Sequence, residues 1–206
     1  MLRHSLHLML LALLAAGCNE QTTNPEVPAG NNPAQTEMGA EGQLTPEATN
    51  ENEMEAVTKA VCKLVPIGDS KVTGMIHFTK EGNQIHVEGE ITGLKPGKHG
   101  FHVHEKGDLS DKETGKSAGG HFNPTDKPHG RPTDSERHVG DLGNIEANAE
   151  GVAKVDIVDE VIQLNGENSI IGRSIVVHAG EDQFTQPSGD AGDRVAFGDI
   201  IEEKTE

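Results

Sequence analysis

Short segments of alternating apolar and polar residues recur between residues 57 and 206. Many are rich in β-branched residues, and no stretch keeps a long apolar period of 3.6 residues. Because side chains two apart on a strand share a face, this alternation indicates strands with one buried face. We predict eight strands, over residues 60–66, 71–79, 84–92, 97–104, 144–149, 152–158, 174–178 and 195–200.

Turn residues separate the predicted strands. Glycine next to Asn or Glu lies between two pairs of predicted strands, at 80–83 and 150–151, as antiparallel hairpins require. The sequence therefore predicts an all-β, antiparallel barrel or sandwich. Two long segments, 105–142 and 179–193, interrupt the strands. Loops of that length in a compact domain usually carry function.

The N-terminus predicts an export signal. Arg3 and His4 precede an apolar run over 6–16 that is too short to span a bilayer and ends in small residues. We read residues 1–17 as a signal peptide. The junction before Cys18 resembles a bacterial lipobox, in which the cysteine is acylated and becomes the mature N-terminus. The alternative is an ordinary secretory signal with a chance cysteine at that position.

Residues 19–56 contain hardly any large apolar side chains, so they cannot bury enough surface to offset the entropy of ordering. We predict a disordered acidic tether after the lipidated Cys18, because this segment has eight Glu and no Lys or Arg. The domain over 57–206 is acidic as well, and the whole chain has a formal charge of −17. Without a basic patch, nucleic acid is not an expected partner.

The chain has two cysteines, Cys18 and Cys62. Lipidation of Cys18 would leave Cys62 alone, so no internal disulfide is expected. Cys62 lies within an apolar run, and we interpret it as a small buried hydrophobic residue.

Seven side chains form a candidate metal site. His102 and His104 stand two apart in a predicted strand, so both imidazoles project from one face. Four further candidates follow in a loop segment rich in Gly, Pro and Asp, and the last ends a strand. Imidazoles with a carboxylate are ligands that zinc and copper favour. We predict two metal ions in one pocket, held by His102, His104, His121, His129, His138, Asp141 and His178.

The other histidines are interpreted as structural. A single histidine is more often hydrogen-bonded or exposed than a metal ligand. This interpretation covers His77, His86 and His99.

Four motifs resemble the copper/zinc superoxide dismutases. They are GFHVHE at 100–105, SAGGHFNP at 117–124, ERHVGDLGN at 136–144 and IGRSIVVH at 171–178. They occur in the family's order and spacing, and the resemblance extends from about residue 58 to residue 201. It implies an eight-stranded Greek-key β-barrel with two long functional loops. It also implies dismutation of superoxide to dioxygen and hydrogen peroxide.

The resemblance assigns the metal ligands. It implies that copper is bound by His102, His104, His121 and His178, and zinc by His121, His129, His138 and Asp141. His121 would bridge both ions as an imidazolate. Two divalent cations can compensate the negative charge of a ring that has lost both N–H protons. In the family scheme the same ring carries a proton during the reaction, so His121 is implied to be catalytic.

Two further roles follow from the resemblance. Asp182 matches an aspartate that accepts hydrogen bonds from one copper histidine and one zinc histidine, here His102 and His129. Such outer partners support metal binding. Arg194 matches the guanidinium that guides and docks the superoxide anion.

The chain departs from the family pattern in its cross-link and surface. Gly115 and Phe197 stand where the family has a disulfide. We therefore expect the metal-free protein to be floppy around Arg194. Pro187 stands where animal enzymes carry a channel lysine, so steering is expected to depend on the metals and Arg194. Asp199 and the charged C-terminal tail make an animal-type homodimer unexpected.

The sequence is compatible with three functions. The leading hypothesis is a lipid-anchored enzyme of the bacterial cell envelope that removes superoxide outside the cytoplasm. The main alternative is a protein that sequesters copper or zinc without turnover. A third, an adhesive β-domain with incidental histidines, would require all four motifs to be coincidence. The complete set of copper positions together with Arg194 favours the enzyme, since the site decides function.

Overall fold

The structure is a computed structural model that describes residues 56–204. The predicted signal peptide, Cys18 and all but the last residue of the predicted tether lie outside the described residues. Among the described residues, no helix is long and apolar enough to cross a membrane.

Eight strands and one short 3₁₀-helix make up the regular structure of residues 56–204. The number and place of the predicted strands are confirmed, and their bounds differ by at most three residues. The 3₁₀-helix spans Lys116–Ala118. The strands are β1 (Lys59–Pro66), β2 (Thr73–Glu81), β3 (Gln84–Thr92), β4 (Gly97–His104), β5 (Asp141–Ala147), β6 (Ala153–Asp159), β7 (Ser174–His178) and β8 (Arg194–Glu202).

The strands form a closed antiparallel barrel in the order β1-β2-β3-β6-β5-β4-β7-β8, and β8 pairs back with β1. Consecutive strands β3 and β4 are not neighbours: β3 pairs with β6, and β4 lies between β5 and β7. This order is consistent with a Greek-key barrel, so the predicted all-β fold class is confirmed. The barrel is closed least tightly between β5 and β6, which pair only at Ala147 and Ala153.

The core fills the barrel from alternate positions of each strand. In β1 the buried positions are Ala60, Cys62 and Leu64, two residues apart. Cys62 is fully buried, as predicted. Burial raises the pKa of its thiol to about 12, which keeps it protonated and unreactive at neutral pH.

Strand β4 is buried on both faces from His99 to His104. Phe101 and Val103 belong to the barrel core, and the alternating His102 and His104 therefore project outward from the barrel. Both long loops lie against this outer face. The Gly100 N–H donates to Gly180 O of one loop (2.8 Å), and the Val103 N–H donates to Gly140 O of the other (2.9 Å).

Gly140 lets the first loop approach β4 closely. A Cβ at this position would lie 2.2 Å from Val103 O, a distance that no side chain tolerates. Only glycine therefore fits at this position. The chain then turns directly into β5, where Asp141 pairs with His102.

Candidate metal centre

The structure brings four histidines together from three parts of the chain. His102 and His104 lie on β4, and His178 is the last residue of β7, the antiparallel neighbour of β4. His121 joins them through an isolated bridge with His104. One donor atom from each ring lies within 4.8 Å of the others, and all four residues are buried.

A second donor group shares His121 with the first. It consists of His121, His129, His138 and Asp141, and its donor atoms again lie within 4.8 Å of one another. All seven residues that the sequence singled out thus lie in one buried pocket, and only His121 belongs to both of these groups.

His121 stands between the two groups. Its ring centroid lies 4.1 Å from that of His102 on one side and 5.2 Å from that of His129 on the other. Its Nδ1 lies 2.8 Å from Asp141 Oδ1 and 3.4 Å from His138 Nδ1. Because Nδ1 points into the second group, Nε2 is the nitrogen left for the first.

The ring nitrogens of the histidines show whether these residues fit a metal ion. In four histidines one ring nitrogen is held by a hydrogen bond, at 2.8 to 3.1 Å, and the other is buried. Three of these buried nitrogens have no partner among the described residues, while His129 Nδ1 faces Asp141 Oδ1, another donor of its own group, at 2.9 Å. A buried nitrogen without a partner is costly, whereas one anchored nitrogen and one vacant nitrogen is the pattern of a metal-binding histidine. The nitrogens without a partner are His102 Nδ1, His104 Nε2 and His178 Nε2.

Asp182 forms a hydrogen bond with one histidine of each group. Its carboxylate accepts from His102 Nε2 at 2.8 Å and from His129 Nε2 at 3.0 Å. Asn144 fixes it through two main-chain bonds, donating to Asp182 O (3.0 Å) and accepting from the Asp182 N–H (2.8 Å). Gly189 packs over the carboxylate, and a Cβ there would lie 1.9 Å from Oδ1.

Arg194 lies in a cavity of about 520 Å³ between the two loops, with Lys116, Glu113 and Asp193 in its lining. Its guanidinium donates to Gly115 O at 2.6 Å and to Gly119 O at 2.7 Å. Burial lowers the pKa of Arg194, but a guanidinium remains charged near neutral pH. The guanidinium can orient a small anion in this cavity.

Comparison with known proteins identifies the family. Residues 72–200 match copper/zinc superoxide dismutase (SODC). The chain belongs to the copper/zinc superoxide dismutase family. Members bind copper and zinc, and membership assigns this chain the enzymatic dismutation of superoxide.

The family's named relatives cover most of the barrel domain. An extracellular superoxide dismutase [Cu-Zn] of Brugia pahangi is 51% identical over 63% of this chain and 69% of its own length. Superoxide dismutase [Cu-Zn] 2 of Mesembryanthemum crystallinum is 46% identical over 70% of this chain and 95% of its length. The crystal structure of the clock protein EA4 matches with a TM-score of 0.67 and 43% identity, covering 72% and 96% of the two chains.

An apolar cluster occupies the region where the family has its disulfide. Phe197 is fully buried there among residues of β1, β7 and the first loop. Gly115 adjoins this cluster, and a Cβ at 115 would lie 2.7 Å from Ile67 Cδ1. A side chain at 115 would therefore crowd Ile67. The cluster consists of Ile67, Ala118, Val176 and Phe197, with Val65 and Leu109 packed against it.

Sequence reasoning assigned no role at this superoxide dismutase centre to several residues that lie beside it. Asn144 is the last residue of the motif at 136–144, and that position was a usable signal. His99, interpreted as structural, has its ring nitrogens 2.8 Å from His178 O and from Lys95 O, so it supports a candidate ligand from behind. Lys116 resembles any other loop lysine, and nothing in the sequence distinguishes it.

The pKa values of several histidines and of Asp141 are strongly shifted in the metal-free centre. Burial, together with neighbouring histidines, lowers the pKa of His121 to about 4 and that of His178 to about 3. Burial also lowers the pKa of His129, but its hydrogen bonds with Asp141 and Asp182 outweigh that effect and raise it to about 9. Burial raises the pKa of Asp141, and donation from three histidines overcomes this and holds it far below its usual range.

The metal-free superoxide dismutase is expected to lose stability as the pH falls from 6.5 toward about 4. Because the folded pKa values of His121 and His178 lie below 6.5, the unfolded chain binds protons in this range that the folded chain does not. Their contribution is therefore complete above pH 6.5 and is lost as the pH falls. His129 has the opposite sign, and its contribution is lost as the pH rises toward 9.

Denaturant unfolding of the metal-free protein across this pH range measures the effect. A free energy of unfolding that stays constant from pH 6.5 down to pH 4 would contradict the assignment of these shifts.

Proposed function

We propose that copper is bound by His102, His104, His121 and His178, that zinc is bound by His121, His129, His138 and Asp141, and that the imidazolate of His121 bridges them. The observation that carries this proposal is the position of His121, the one residue common to both donor groups. Its Nδ1 faces the carboxylate of the second group. Nε2 would then serve the copper group.

The protein's own residues would prepare the centre for electron and proton transfer. Bound copper would supply one-electron redox chemistry, while bound zinc would supply a fixed positive charge. His121 would lose both ring protons in the bridge, since two cations compensate the charge. A ring whose Nε2 is free would hold one of the two protons that reduced superoxide requires to leave as hydrogen peroxide, and solvent would supply the other.

Arg194 would dock the superoxide anion. Its guanidinium is fixed by two main-chain carbonyls and keeps donors for a small anion. Lys116 adds a second positive charge at the wall of the same cavity, but Glu113 and Asp193 also line it, so the formal charges of the lining cancel. Attraction of the anion would therefore depend on the bound metal ions together with Arg194, and would act at short range.

Replacing Arg194 with alanine is expected to lower kcat/KM for superoxide by roughly tenfold, because the anion loses both docking and attraction. The copper and zinc content should stay the same, since Arg194 belongs to neither donor group. Superoxide consumption by the copper- and zinc-loaded wild-type and variant proteins measures this change, and Arg194→Lys should lie between them.

The same assay tests the proposed function. Rapid consumption by the loaded wild-type protein is expected. Full occupancy by both metals without turnover would contradict dismutation by this centre and would favour metal sequestration.

We also propose that the enzyme acts outside the cytoplasm, in a bacterial cell envelope, anchored to the membrane by a lipid on Cys18. The apolar run before Cys18 and the lipobox-like junction support export and acylation. The relative from Brugia pahangi is named extracellular, which supports the extracytoplasmic location alone.

Mass spectrometry of the mature N-terminus tests the anchor. Acylated Cys18 as the first residue is the expected result, and Cys18→Ser should shift the protein from the membrane fraction to the soluble fraction. A mature N-terminus without lipid would contradict the anchor and leave the extracytoplasmic location standing.

A further inference from the structure

Three side chains of the second long loop converge on His129. They are Asp182, Phe184 and Gln186, spaced two residues apart, and each contacts a different part of the histidine. Asp182 Oδ1 accepts from the ring at Nε2, 3.0 Å away. This leaves Nδ1 aimed at Asp141 Oδ1, 2.9 Å away.

Gln186 holds the main chain of His129. Its Oε1 accepts from the His129 N–H at 3.0 Å, and its Nε2 donates to His129 O at 2.7 Å. One side-chain amide thus satisfies both main-chain groups, as a neighbouring strand would. A glutamate at this position would lack the donor, because an ionised carboxylate only accepts.

Phe184 covers the ring of His129. The two rings lie nearly parallel, with centroids 6.2 Å apart and planes inclined by 16°. The Arg131 guanidinium lies 4.5 Å from the Phe184 centroid. Phe184 has a φ of 59°, in the left-handed region that side chains other than glycine seldom adopt. Such a conformation persists where contacts hold it.

These contacts matter because His129 has no strand to support it. The segment between Phe122 and Gly140 contains neither helix nor strand. Two of its zinc partners are held more firmly, because His121 bridges to His104 at the end of β4 and Asp141 begins β5, whereas His138 lies in the same irregular segment as His129. The main-chain position of His129 therefore depends on contacts from outside its own segment.

We infer that Gln186 is a positioning residue for the zinc site: with Phe184, it fixes the main chain and ring of His129 so that Nδ1 faces the zinc position before the ion binds. This inference rests on the proposed zinc ligands. Preorganised donors bind a metal more tightly, since less freedom is lost on binding. Loss of Gln186 should therefore weaken zinc binding while leaving the copper donors in place.

The test compares zinc binding by intact, copper-free chains. Gln186→Met keeps the side-chain length and removes both hydrogen bonds, Gln186→Glu keeps only the acceptor, and Phe184→Leu removes the aromatic ring. Gln183→Met is the matched control, since Gln183 is exposed in the same loop and its side chain bonds to none of the described residues. Zinc affinity is measured by competition with a chelator, and the visible spectrum of Co(II) bound in place of zinc reports the site's geometry.

We expect Gln186→Met to weaken zinc binding by about tenfold, the lower end for outer partners of metal ligands, and to shift the Co(II) spectrum. Gln186→Glu should fall between it and the wild type, and Gln183→Met should match the wild type. The metal-free variants should unfold at similar temperatures. If Gln186→Met fails to fold, Phe184→Leu provides the same comparison.

Zinc affinity and a Co(II) spectrum equal to the wild type in both Gln186→Met and Phe184→Leu would overturn the inference. An equal loss in Gln183→Met would overturn it too, because the effect would then belong to the loop in general. The measurement involves neither copper nor superoxide. A wild-type protein that binds zinc but does not consume superoxide would therefore contradict the proposed function and leave this inference standing.

Discussion

Replacing His121 with alanine is expected to abolish superoxide dismutation. This one change removes a donor from each metal group, leaving three donors in each. It also removes Nε2, the proposed proton carrier, and general acid catalysis of this kind commonly contributes about 10² to 10⁴ in rate. We therefore expect turnover at least 10²-fold below the wild type at equal copper content.

The measurement is superoxide consumption per bound copper ion, with metal content determined on the same samples. His77→Ala is a matched control, because His77 lies on β2 with its ring half exposed, and its nearest carboxylate among residues 56–204 is that of Glu203, 3.9 Å away. It should retain wild-type activity. Turnover by His121→Ala close to that of His77→Ala would rule out a catalytic bridge.

The second large effect is on stability, at the cluster that lies where the family has its disulfide. Phe197→Ala is expected to lower the free energy of unfolding by about 3–5 kcal/mol, because a fully buried aromatic ring leaves a cavity. Removal of a native disulfide from a small domain costs a similar amount, about 2–5 kcal/mol. Packing around Phe197 can therefore provide stabilisation of the size that the cross-link would supply.

Denaturant unfolding of the metal-free protein measures this loss. Val158→Ala is the control, since Val158 is 57% exposed on β6 and its truncation should change stability by less than about 0.5 kcal/mol. The cluster holds Ala118 of the first loop, next to the carbonyls that fix Arg194. Phe197→Ala should therefore also increase proteolysis of this loop. An unchanged free energy of unfolding would show that Phe197 does not take over the role of the disulfide.

The sequence-based expectation of a floppy metal-free loop around Arg194 stays a prediction. Limited proteolysis with and without metal tests it. Equal resistance in both states would count against it, and would fit a loop held by Phe197 and its neighbours alone.

The strands were predictable because their chemistry is local. The alternation of side chains that marks β3 and β4 lies within each strand, so it can be recognised without knowing the rest of the fold. The predicted bounds of both strands equal those in the structure. The start of β5 was placed three residues late, since Asp141 reads as part of a Gly- and Asp-rich loop. Its strand pairing is set by His102, which is distant in sequence.

The candidate site was only partly predictable from local pattern. Strand periodicity alone placed His102 and His104 on one face, while the division into copper and zinc ligands came from the family motifs. Gln186 stayed hidden because its hydrogen bonds reach a residue 57 positions away. A contact of that kind, from a side chain to a distant main chain, leaves no period or spacing in the sequence.

The most direct test is a crystal structure of the copper- and zinc-loaded enzyme, with anomalous diffraction recorded at the absorption edges of both metals. The proposed centre predicts one copper and one zinc position on either side of His121, each about 2 Å from a different ring nitrogen. Copper should lie among His102, His104 and His178, with zinc beside Asp141. Metal positions that leave one or both ring nitrogens of His121 without an ion would contradict the bridge.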